Sequence, residues 1–312
     1  MKAAQISKYG GVEVIEINEN APDPSLKPGQ ILAEVYAASL NPFDSFVRGG
    51  YLKEKVPLEL PVTLGGDFAG IVTKVGQDVA NFKVGDEVYG AALVVAGGSG
   101  SLAEFVAGNT ANLAQKPKNI DFVEAASLPL VGASAIQALE EHINLKQGQK
   151  ILIHGGSGGI GSIAIQLAKA IGAYVAATVS TKDVGFAKSL GADEVIDFKV
   201  EDFEKIVKDF DAVFVTGGAD VVDKSFKVLK RGGTIVSMLG APSADLAKKY
   251  GINAIGQVTG TSSERLGTLA KYVEEGKIKP QIDKVFPLEE AKEAFKHLEE
   301  GHPRGKVVLK IK

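Results

Sequence analysis

The feature that most constrains the fold is a glycine-rich turn that joins an apolar run to a stretch with helical spacing. The apolar run covers residues 150–154, and residues 162–168 follow the turn with the spacing of a helix. Between them, Gly156, Gly158 and Gly161 match the pattern G-x-G-x-x-G. The first glycine allows a tight turn, the second lets a pyrophosphate approach the backbone, and the third allows close helix-to-strand packing. The pattern predicts a dinucleotide site. A glycine-rich turn without a ligand is the alternative, which the strand-turn-helix context disfavours.

Strand-like and helical stretches alternate through the middle of the chain. Helical spacing covers residues 122–142, and helical stretches separate the strands that follow. The predicted strands are residues 150–154, 174–178, 194–196, 212–215, 234–238 and 254–259. This alternation predicts an α/β fold with a doubly wound, six-stranded parallel sheet covered by helices on both faces, which is the Rossmann arrangement.

The two ends of the chain follow a different pattern. Up to about residue 120, short apolar runs are separated by Gly, Pro and Asp, which indicates a β-rich domain that forms a partly open barrel. A last strand at residues 306–311 has no parallel partner left, so we expect it to return to this domain. The predicted division is a β-rich domain of residues 1–121 and 277–312 and a Rossmann domain of residues 122–276.

Composition excludes several classes of function. The chain has no cysteine, which removes disulfides, thiolate nucleophiles and thiolate metal sites. Its four histidines lack the spacing of a metal site, so no metal is predicted. The net charge is only −3 and the charges form no long block, which argues against a nucleic-acid partner.

The N-terminus lacks an apolar signal core, and no window approaches the ~18 apolar residues of a membrane span. We therefore expect a cytoplasmic protein without a membrane partner.

The end of the second Rossmann strand bears on the choice of nucleotide. An NAD enzyme usually supplies a carboxylate there for the ribose 2′-hydroxyl, about 20 residues past the first glycine. Here Ser180, Thr181 and Lys182 follow the strand instead. Two hydroxyls and an ammonium suit a 2′-phosphate, so the sequence predicts NADPH. The same residues as a helix cap with a solvated lysine are the alternative.

With the motif placed, the chain resembles the medium-chain dehydrogenase/reductase superfamily, and within it the zinc-free branch of quinone and enone oxidoreductases. The resemblance covers nearly the whole length. Besides the glycine-rich turn, it rests on residues 38–44 (ASLNPFD), 48–51 (RGGY), 65–72 (GGDFAGIV), 82–90 (FKVGDEVYG), 125–130 (AASLPL), 190–193 (LGAD) and 304–309 (RGKVVL). It implies a GroES-like β-rich catalytic domain beside the Rossmann domain, and a homodimer.

The resemblance also implies which residues hold the cofactor. These are Ser134, Gly156, Ser157, Gly158, Gly159, Ile160, Gly161, Ser180, Thr181, Lys182, Gly217, Met238, Leu239, Gly240, Gln257, Val258, Thr259, His302 and Pro303. Two departures from the family pattern matter for the 2′-phosphate. Asp183 stands where many relatives carry a second lysine, and Phe198 stands where many carry a tyrosine. Both leave NADH open as a second cofactor.

The resemblance further implies the class of reaction. Zinc alcohol dehydrogenases of the superfamily hold their metal at places that correspond to the neighbourhood of Asn41 and to residues 65–67, where neither ligand is present. Hydride transfer without a Lewis acid suits small carbonyl acceptors that are already electrophilic, such as quinones and α,β-unsaturated aldehydes and ketones.

Two polar residues are candidates for catalysis. The amide of Asn41 can donate to a developing oxyanion, although Asn41 followed by Pro42 is also a strong helix N-cap. The phenol of Tyr51 can bind substrate or relay a proton, whereas a packing role is the alternative. An alcohol or aldehyde reductase without zinc, and a protein that binds NADPH without turnover, are the competing functions.

Overall fold

The computed structural model describes all 312 residues, and they divide into two compact units. The first, here called the β-rich unit, comprises Met1–Leu130, Thr261–Glu274 and Pro280–Lys312. The second, here called the parallel-sheet unit, comprises Val131–Gly260 and Glu275–Lys279. A β-rich unit and a parallel-sheet unit are both present, as predicted.

The chain forms sixteen strands and ten α-helices. The strands are β1 (Ala3–Ile6), β2 (Ile15–Asn18), β3 (Gln30–Leu40), β4 (Val62–Thr63), β5 (Asp67–Val75), β6 (Glu87–Ala91), β7 (Phe105–Asn109), β8 (Leu113–Gln115), β9 (Lys150–His154), β10 (Tyr174–Val179), β11 (Glu194–Asp197), β12 (Phe210–Val215), β13 (Leu229–Ser237), β14 (Asn253–Gly256), β15 (Ile282–Pro287) and β16 (Lys306–Lys310). The helices are α1 (Pro42–Arg48), α2 (Phe122–Ala126), α3 (Pro129–Ile136), α4 (Gly159–Ile171), α5 (Val184–Ser189), α6 (Phe203–Ile206), α7 (Val222–Ser225), α8 (Ala244–Tyr250), α9 (Ser263–Glu274) and α10 (Ala291–Glu300).

The β-rich unit is organised around the long strand β3. A seven-stranded sheet has the order β15-β16-β3-β5-β6-β8, with β7 also paired to β3, and a smaller sheet has the order β2-β1-β4. The C-terminal strand β16 pairs antiparallel with residues 37–40 of β3, so the last strand does return to this unit. Its core contains the fully buried side chains of Phe68, Leu102 and Phe295.

The parallel-sheet unit contains six parallel strands in the order β11-β10-β9-β12-β13-β14. The order reverses between β9 and β12, and ligands of such sheets bind at this switch point, beyond the carboxyl ends of the strands. Apolar side chains such as Leu152, Val213 and Ile235 fill the sheet interior and are almost fully buried. The glycine-rich turn follows β9 and therefore lies at the switch point.

The boundaries between the two units differ from the domain boundaries that the sequence predicts. Residues 122–130 and 261–274 belong to the β-rich unit rather than to the Rossmann domain. Their side chains and backbones bond there: the Tyr89 hydroxyl donates to the Leu266 carbonyl at 2.7 Å, and the Asn119 amide donates to the Val273 carbonyl at 2.9 Å. The periodicity of apolar residues predicts a helix, but it does not predict which of the two sheets that helix packs against.

The helix predicted over residues 122–142 is broken in the structure. It consists of α2, then α3, then a π-helical turn over Gln137–His142. Pro129 begins α3, because proline lacks the N–H that a helix interior requires and is favoured in a first turn. A π-helical turn adds a residue to the turn and is frequent at functional sites.

Candidate functional site

The glycine-rich turn has the conformation that its pattern requires. Gly155 has φ +77°, which favours glycine. A Cβ on Gly156 would lie 3.1 Å from side-chain atoms of Ala177 and Ile165, and a Cβ on Gly161 would lie 2.1 Å from the Gly155 carbonyl oxygen. Gly156 and Gly161 are thus glycines because protein atoms crowd them. They allow helix α4 to begin directly against the end of β9.

Gly158 differs, because no neighbouring protein atom requires a glycine at this position. It is the N-cap of α4, with φ −76° and ψ 176°, and a Cβ there would have no heavy atom closer than 3.5 Å. The first turn of α4 carries no acidic residue, and Ser157, Gly159 and Ile160 beside it are half-buried. The unpaired N–H groups of a helix N-terminus and the positive end of the helix dipole favour an anion at such a place. The space beside Gly158 is therefore not filled by protein side chains.

The other predicted cofactor residues of this unit follow the carboxyl ends of neighbouring strands. Gly217 follows β12, and a Cβ there would meet only Gly155 Cα, at 3.8 Å. Met238 and Gly240 follow β13, and the Met238 N–H donates to the Val215 carbonyl at 2.9 Å. Leu239 between them is 46% exposed. Because parallel strands end at one edge, the fold gathers these residues around the glycine-rich turn.

Three predicted residues meet although they are distant in sequence. The hydroxyls of Ser134 and Thr259 are 2.7 Å apart. The Gln257 amide donates to the Ser134 carbonyl at 3.1 Å, while Gln257 Oε1 is buried without a hydrogen-bond partner. A buried acceptor without a donor is costly unless a ligand satisfies it. The carboxamide of a nicotinamide carries such a donor.

Gln137 is a residue of this site that the sequence did not reveal. It begins the π-helical turn, donates to the Val258 carbonyl at 3.2 Å, and accepts from the Gly260 N–H at 3.0 Å. These bonds hold the backbone on both sides of Thr259, while the Val258 side chain is 90% exposed. A polar glutamine within an apolar helical stretch is the only sequence signal that marks it.

The turn after β10 contains the residues predicted to bind the 2′-phosphate. Ser180 is half-buried, and Thr181 and Lys182 are exposed. Asp183, in contrast, is 4% exposed. Its Oδ2 accepts hydrogen bonds from the hydroxyls of Ser180, at 2.7 Å, and Ser157, at 3.2 Å. The acid therefore ties the β10 turn to the glycine-rich turn.

His154, at the end of β9, is a structural residue. Its ring nitrogens contact the hydroxyls of Thr178 and Ser225 at 3.0 and 3.1 Å. Burial lowers the pKa of His154 to about 3, so the ring is neutral at physiological pH. With both nitrogens in hydrogen bonds, the ring has no nitrogen left for a reacting group.

In the β-rich unit, Asn41 lies in a buried polar network. It is the N-cap of α1, and its N–H donates to the Asp44 carboxylate at 2.7 Å. Its side-chain amide donates to Asp67 Oδ2 at 2.9 Å, and its side-chain oxygen accepts from Lys306 Nζ at 2.5 Å. Lys306 Nζ also donates to the Leu40 carbonyl. Sequence reasoning did not single out Lys306, although a lysine that opens an apolar strand needs a buried partner.

Burial dominates the protonation of this network. It raises the pKa of Asp44 to about 7, against a stabilising bond from the Asn41 N–H and with the Asp67 charge adding to the rise. Burial also raises the pKa of Asp67, although Lys306 and the Asn41 amide oppose the rise. It lowers the pKa of Lys306, against the two carboxylates. The network holds a cation and two acids out of water.

Tyr51, the second catalytic candidate, lies beyond the C-terminal end of α1. It is 77% exposed, and its ring centroid is 5.3 Å from that of Phe46, which is 54% exposed. Tyr51 is therefore not a buried core residue, although its ring contacts Phe46. An exposed aromatic pair of this kind suits contact with a planar acceptor.

His302 and Pro303 occupy the turn between α10 and β16. His302 has φ +49°, and its Nδ1 donates to the Glu300 carbonyl at 3.1 Å. His302 is exposed and Pro303 is half-buried. Both belong to the β-rich unit, whereas the other predicted cofactor residues belong to the parallel-sheet unit.

Comparison with known proteins identifies the family. Residues 27–118 match the alcohol dehydrogenase GroES-like domain, and residues 190–309 match the zinc-binding dehydrogenase domain. The chain belongs to the medium-chain dehydrogenase/reductase superfamily, in its zinc-free branch of quinone and enone oxidoreductases.

Particular members are similar over the whole chain. The NADPH-dependent alkenal/one oxidoreductase of Arabidopsis thaliana chloroplasts is 41% identical over 99% of this chain and 79% of its own length. The 2-methylene-furan-3-one reductase of Solanum lycopersicum is 40% identical over the same shares. The solved structure of a quinone oxidoreductase from Coxiella burnetii has a TM-score of 0.89 and 38% identity, and covers 100% of this chain and 99% of its own.

The name of the second matched domain implies zinc, and the side chains of this protein do not fit that metal. Asn41 and Asp67 lie in the two stretches that the family resemblance assigns to the ligands. They bond to each other, and the Lys306 ammonium donates to Asn41. There is no cysteine, and no group of three or more His, Asp or Glu side chains is arranged to hold a metal ion. We therefore assign zinc no part in the reaction.

None of the helices has the length and apolar character of a membrane-spanning segment.

Proposed function

We propose that this protein is an NADPH-dependent reductase that transfers a hydride to quinones or to α,β-unsaturated aldehydes and ketones without zinc. The observation that carries the proposal is Gly158, whose missing side chain serves no packing purpose at the N-terminus of α4. The names of two similar relatives support the cofactor and the acceptor class.

The residues of the parallel-sheet unit fit the dinucleotide. Gly158 and the first turn of α4 would hold the pyrophosphate through backbone N–H groups. Ser180, Thr181 and Lys182 would hold the adenosine ribose and its phosphate. Gln257 Oε1, buried and unpartnered, would accept a hydrogen bond from the nicotinamide carboxamide. When bound, NADPH supplies the hydride that the acceptor receives.

The acceptor must already be electrophilic, because the chain provides no Lewis acid. For the developing oxyanion we propose Asn41: its amide nitrogen carries two hydrogens, of which Asp67 takes one. For the proton that the reduced acceptor requires, we propose the phenol of Tyr51, which is exposed. Both are proposals for the catalytic residues of the reaction.

The variant Gly158→Ala tests the cofactor site without disturbing the fold. Alanine adopts the backbone angles of Gly158, and its Cβ meets ordinary contact distances, so we expect the free energy of unfolding to stay within about 1 kcal/mol. NADPH affinity, measured by isothermal titration calorimetry, should fall by about tenfold or more because the methyl group occupies the pyrophosphate space.

Gly185→Ala is the matched control. Gly185 lies on α5, and a Cβ there would meet nothing within 4 Å. This variant should bind NADPH as the wild type does. Equal NADPH affinity of the Gly158 and Gly185 variants would argue against a pyrophosphate at the turn and would remove the main support for the proposal.

We also propose a homodimer. Strand β14 is an edge of the six-stranded sheet, and the exposed Val258 follows it, so an unpaired edge lies beside an exposed apolar side chain. Light scattering coupled to size-exclusion chromatography measures the mass directly, and a monomer at micromolar concentration would refute the dimer. The cytoplasmic location stays a prediction from the sequence, and several similar relatives are named chloroplastic or mitochondrial.

A further inference from the structure

Residues 257–260, here called the 257–260 segment, continue the chain beyond the carboxyl end of β14. The Gln257 N–H makes the last bond to a neighbouring strand, to the Ser237 carbonyl at 2.8 Å. Beyond it, the Val258 side chain is 90% exposed and Gly260 has no side chain, so apolar burial contributes little to fixing the segment. Its conformation therefore depends on hydrogen bonds.

Helix α3 and the π-helical turn that follows it provide these bonds. Ser134 and Gln137 are three residues apart, and both are buried. The Ser134 hydroxyl lies 2.7 Å from the Thr259 hydroxyl. Gln137 Nε2 donates to the Val258 carbonyl at 3.2 Å, and Gln137 Oε1 accepts from the Gly260 N–H at 3.0 Å. Two buried side chains thus hold the segment at Thr259 and on both sides of it.

Gln137 makes its two backbone bonds in one orientation only. A side-chain amide has two hydrogens on nitrogen and lone pairs on oxygen. Turned over, it would place its oxygen against the Val258 carbonyl and its NH2 group against the Gly260 N–H, and both bonds would be lost. Gln137 Nε2 also lies 3.4 Å from His142 Nε2, which can accept its second hydrogen. The amide pairs with the segment as a neighbouring strand would, through one donor and one acceptor.

We propose that Gln137 is a positioning residue for the nicotinamide half of the dinucleotide, because it holds the 257–260 segment in its binding conformation before the cofactor arrives. Gln137 acts through Gln257 and Thr259 and needs no contact with the cofactor itself. A segment that is already ordered does not lose conformational entropy when the ligand binds, which preserves affinity. The inference rests on the proposed function, because it requires that the dinucleotide contacts this segment.

The test compares the wild type with Gln137→Met, whose side chain has a similar length and cannot donate to the Val258 carbonyl. Calorimetry gives the affinity of each full-length protein for NADPH and for adenosine 2′,5′-bisphosphate, a fragment without the nicotinamide. NADPH should bind about tenfold more weakly to the variant, whereas the affinity for the fragment should change by less than about twofold. NADH should lose the same factor as NADPH, because the two differ only at the 2′ position. A general loss of structure would weaken NADPH and the fragment alike.

Gln166→Met is the matched control. Gln166 is also a buried glutamine of the parallel-sheet unit. Its amide donates to the Lys279 carbonyl at 3.0 Å and accepts from the Lys279 N–H at 2.9 Å. It therefore makes the same pair of backbone bonds to a segment outside the proposed site. Its affinities for NADPH and for the fragment should stay within about twofold of the wild type.

Hydrogen–deuterium exchange of the wild type is a second measurement that depends on no variant. The Gly260 N–H, which bonds to Gln137, should be protected before NADPH is added. Unprotected exchange of this amide in the free protein would overturn the inference. Equal NADPH affinity of the wild type and Gln137→Met would also overturn it, as would an equal loss for NADPH and the fragment. These results leave the proposed function intact, whereas a wild type that binds no NADPH would refute the proposed function itself.

Discussion

Replacing Lys306 by methionine removes the cation from the buried network of the β-rich unit. Lys306 is 5% exposed, and its ammonium donates to the Leu40 carbonyl and to Asn41 Oδ1. Without it, Asp67 and Asp44 lose the positive charge that opposes the rise of their pKa values. Removing one partner of a buried ionic group typically costs about 3–5 kcal/mol. A loss of this size is a large part of a domain's stability.

Chemical denaturation followed by far-ultraviolet circular dichroism measures the loss. The control is Lys310→Met on the same strand, where the side chain is exposed and the expected cost is below about 0.5 kcal/mol. The double variant Lys306→Met with Asp67→Asn should recover part of the stability, because it also removes a carboxylate that the lysine opposed. The cost should grow as the pH rises from 5 to 8, since the acids ionise. A cost equal to that of Lys310→Met would refute the reasoning.

Two further predictions concern Asp44 and Tyr51. The folded state keeps a proton on Asp44 up to a pKa of about 7, whereas the unfolded acid ionises near 3.8, so this group's contribution to stability is lost as pH rises between those values. In Asp44→Asn this loss is absent. The difference in unfolding free energy between wild type and variant should therefore change by up to about 4 kcal/mol between pH 4 and 8. A difference that stays constant with pH would contradict the assignment. Tyr51→Phe should leave stability within about 0.5 kcal/mol and lower kcat by about tenfold or more with NADPH affinity unchanged, and an unchanged kcat would remove Tyr51 from the proton transfer.

The parts of the fold that the sequence predicted are those that depend on neighbouring residues. The glycine-rich turn, the six parallel strands and the return of β16 to the β-rich unit follow from local spacing and from the strand that lacked a partner. The helical prediction for residues 122–142 is confirmed over most of its length, but it misses that Pro129 begins a new helix and that a π-helical turn ends it. Apolar spacing does not record such a change of helix type.

The details of the site depend on side chains that meet only after folding. Lys306 and Asn41 are 265 residues apart, and no local pattern pairs them. Asp183 was recognised as a departure from the family pattern, but only the structure shows that its carboxylate holds Ser180 and Ser157. Gln137 was not recognised, because its role lies in hydrogen bonds to a segment about 120 residues further on. These contacts are decided by tertiary packing, which no local sequence pattern records.

The most direct test of the account is the rate of NADPH oxidation by the purified protein, followed at the nicotinamide absorbance, with a panel of acceptors. The panel contains 9,10-phenanthrenequinone, a short 2-alkenal, a furanone-type enone and a simple ketone, each repeated in the presence of a zinc chelator. The account predicts turnover of the quinone or the enones and not of the ketone, with no effect of the chelator. Turnover of the ketone would favour an alcohol or aldehyde reductase, and NADPH binding without turnover of any acceptor would contradict the reductase function.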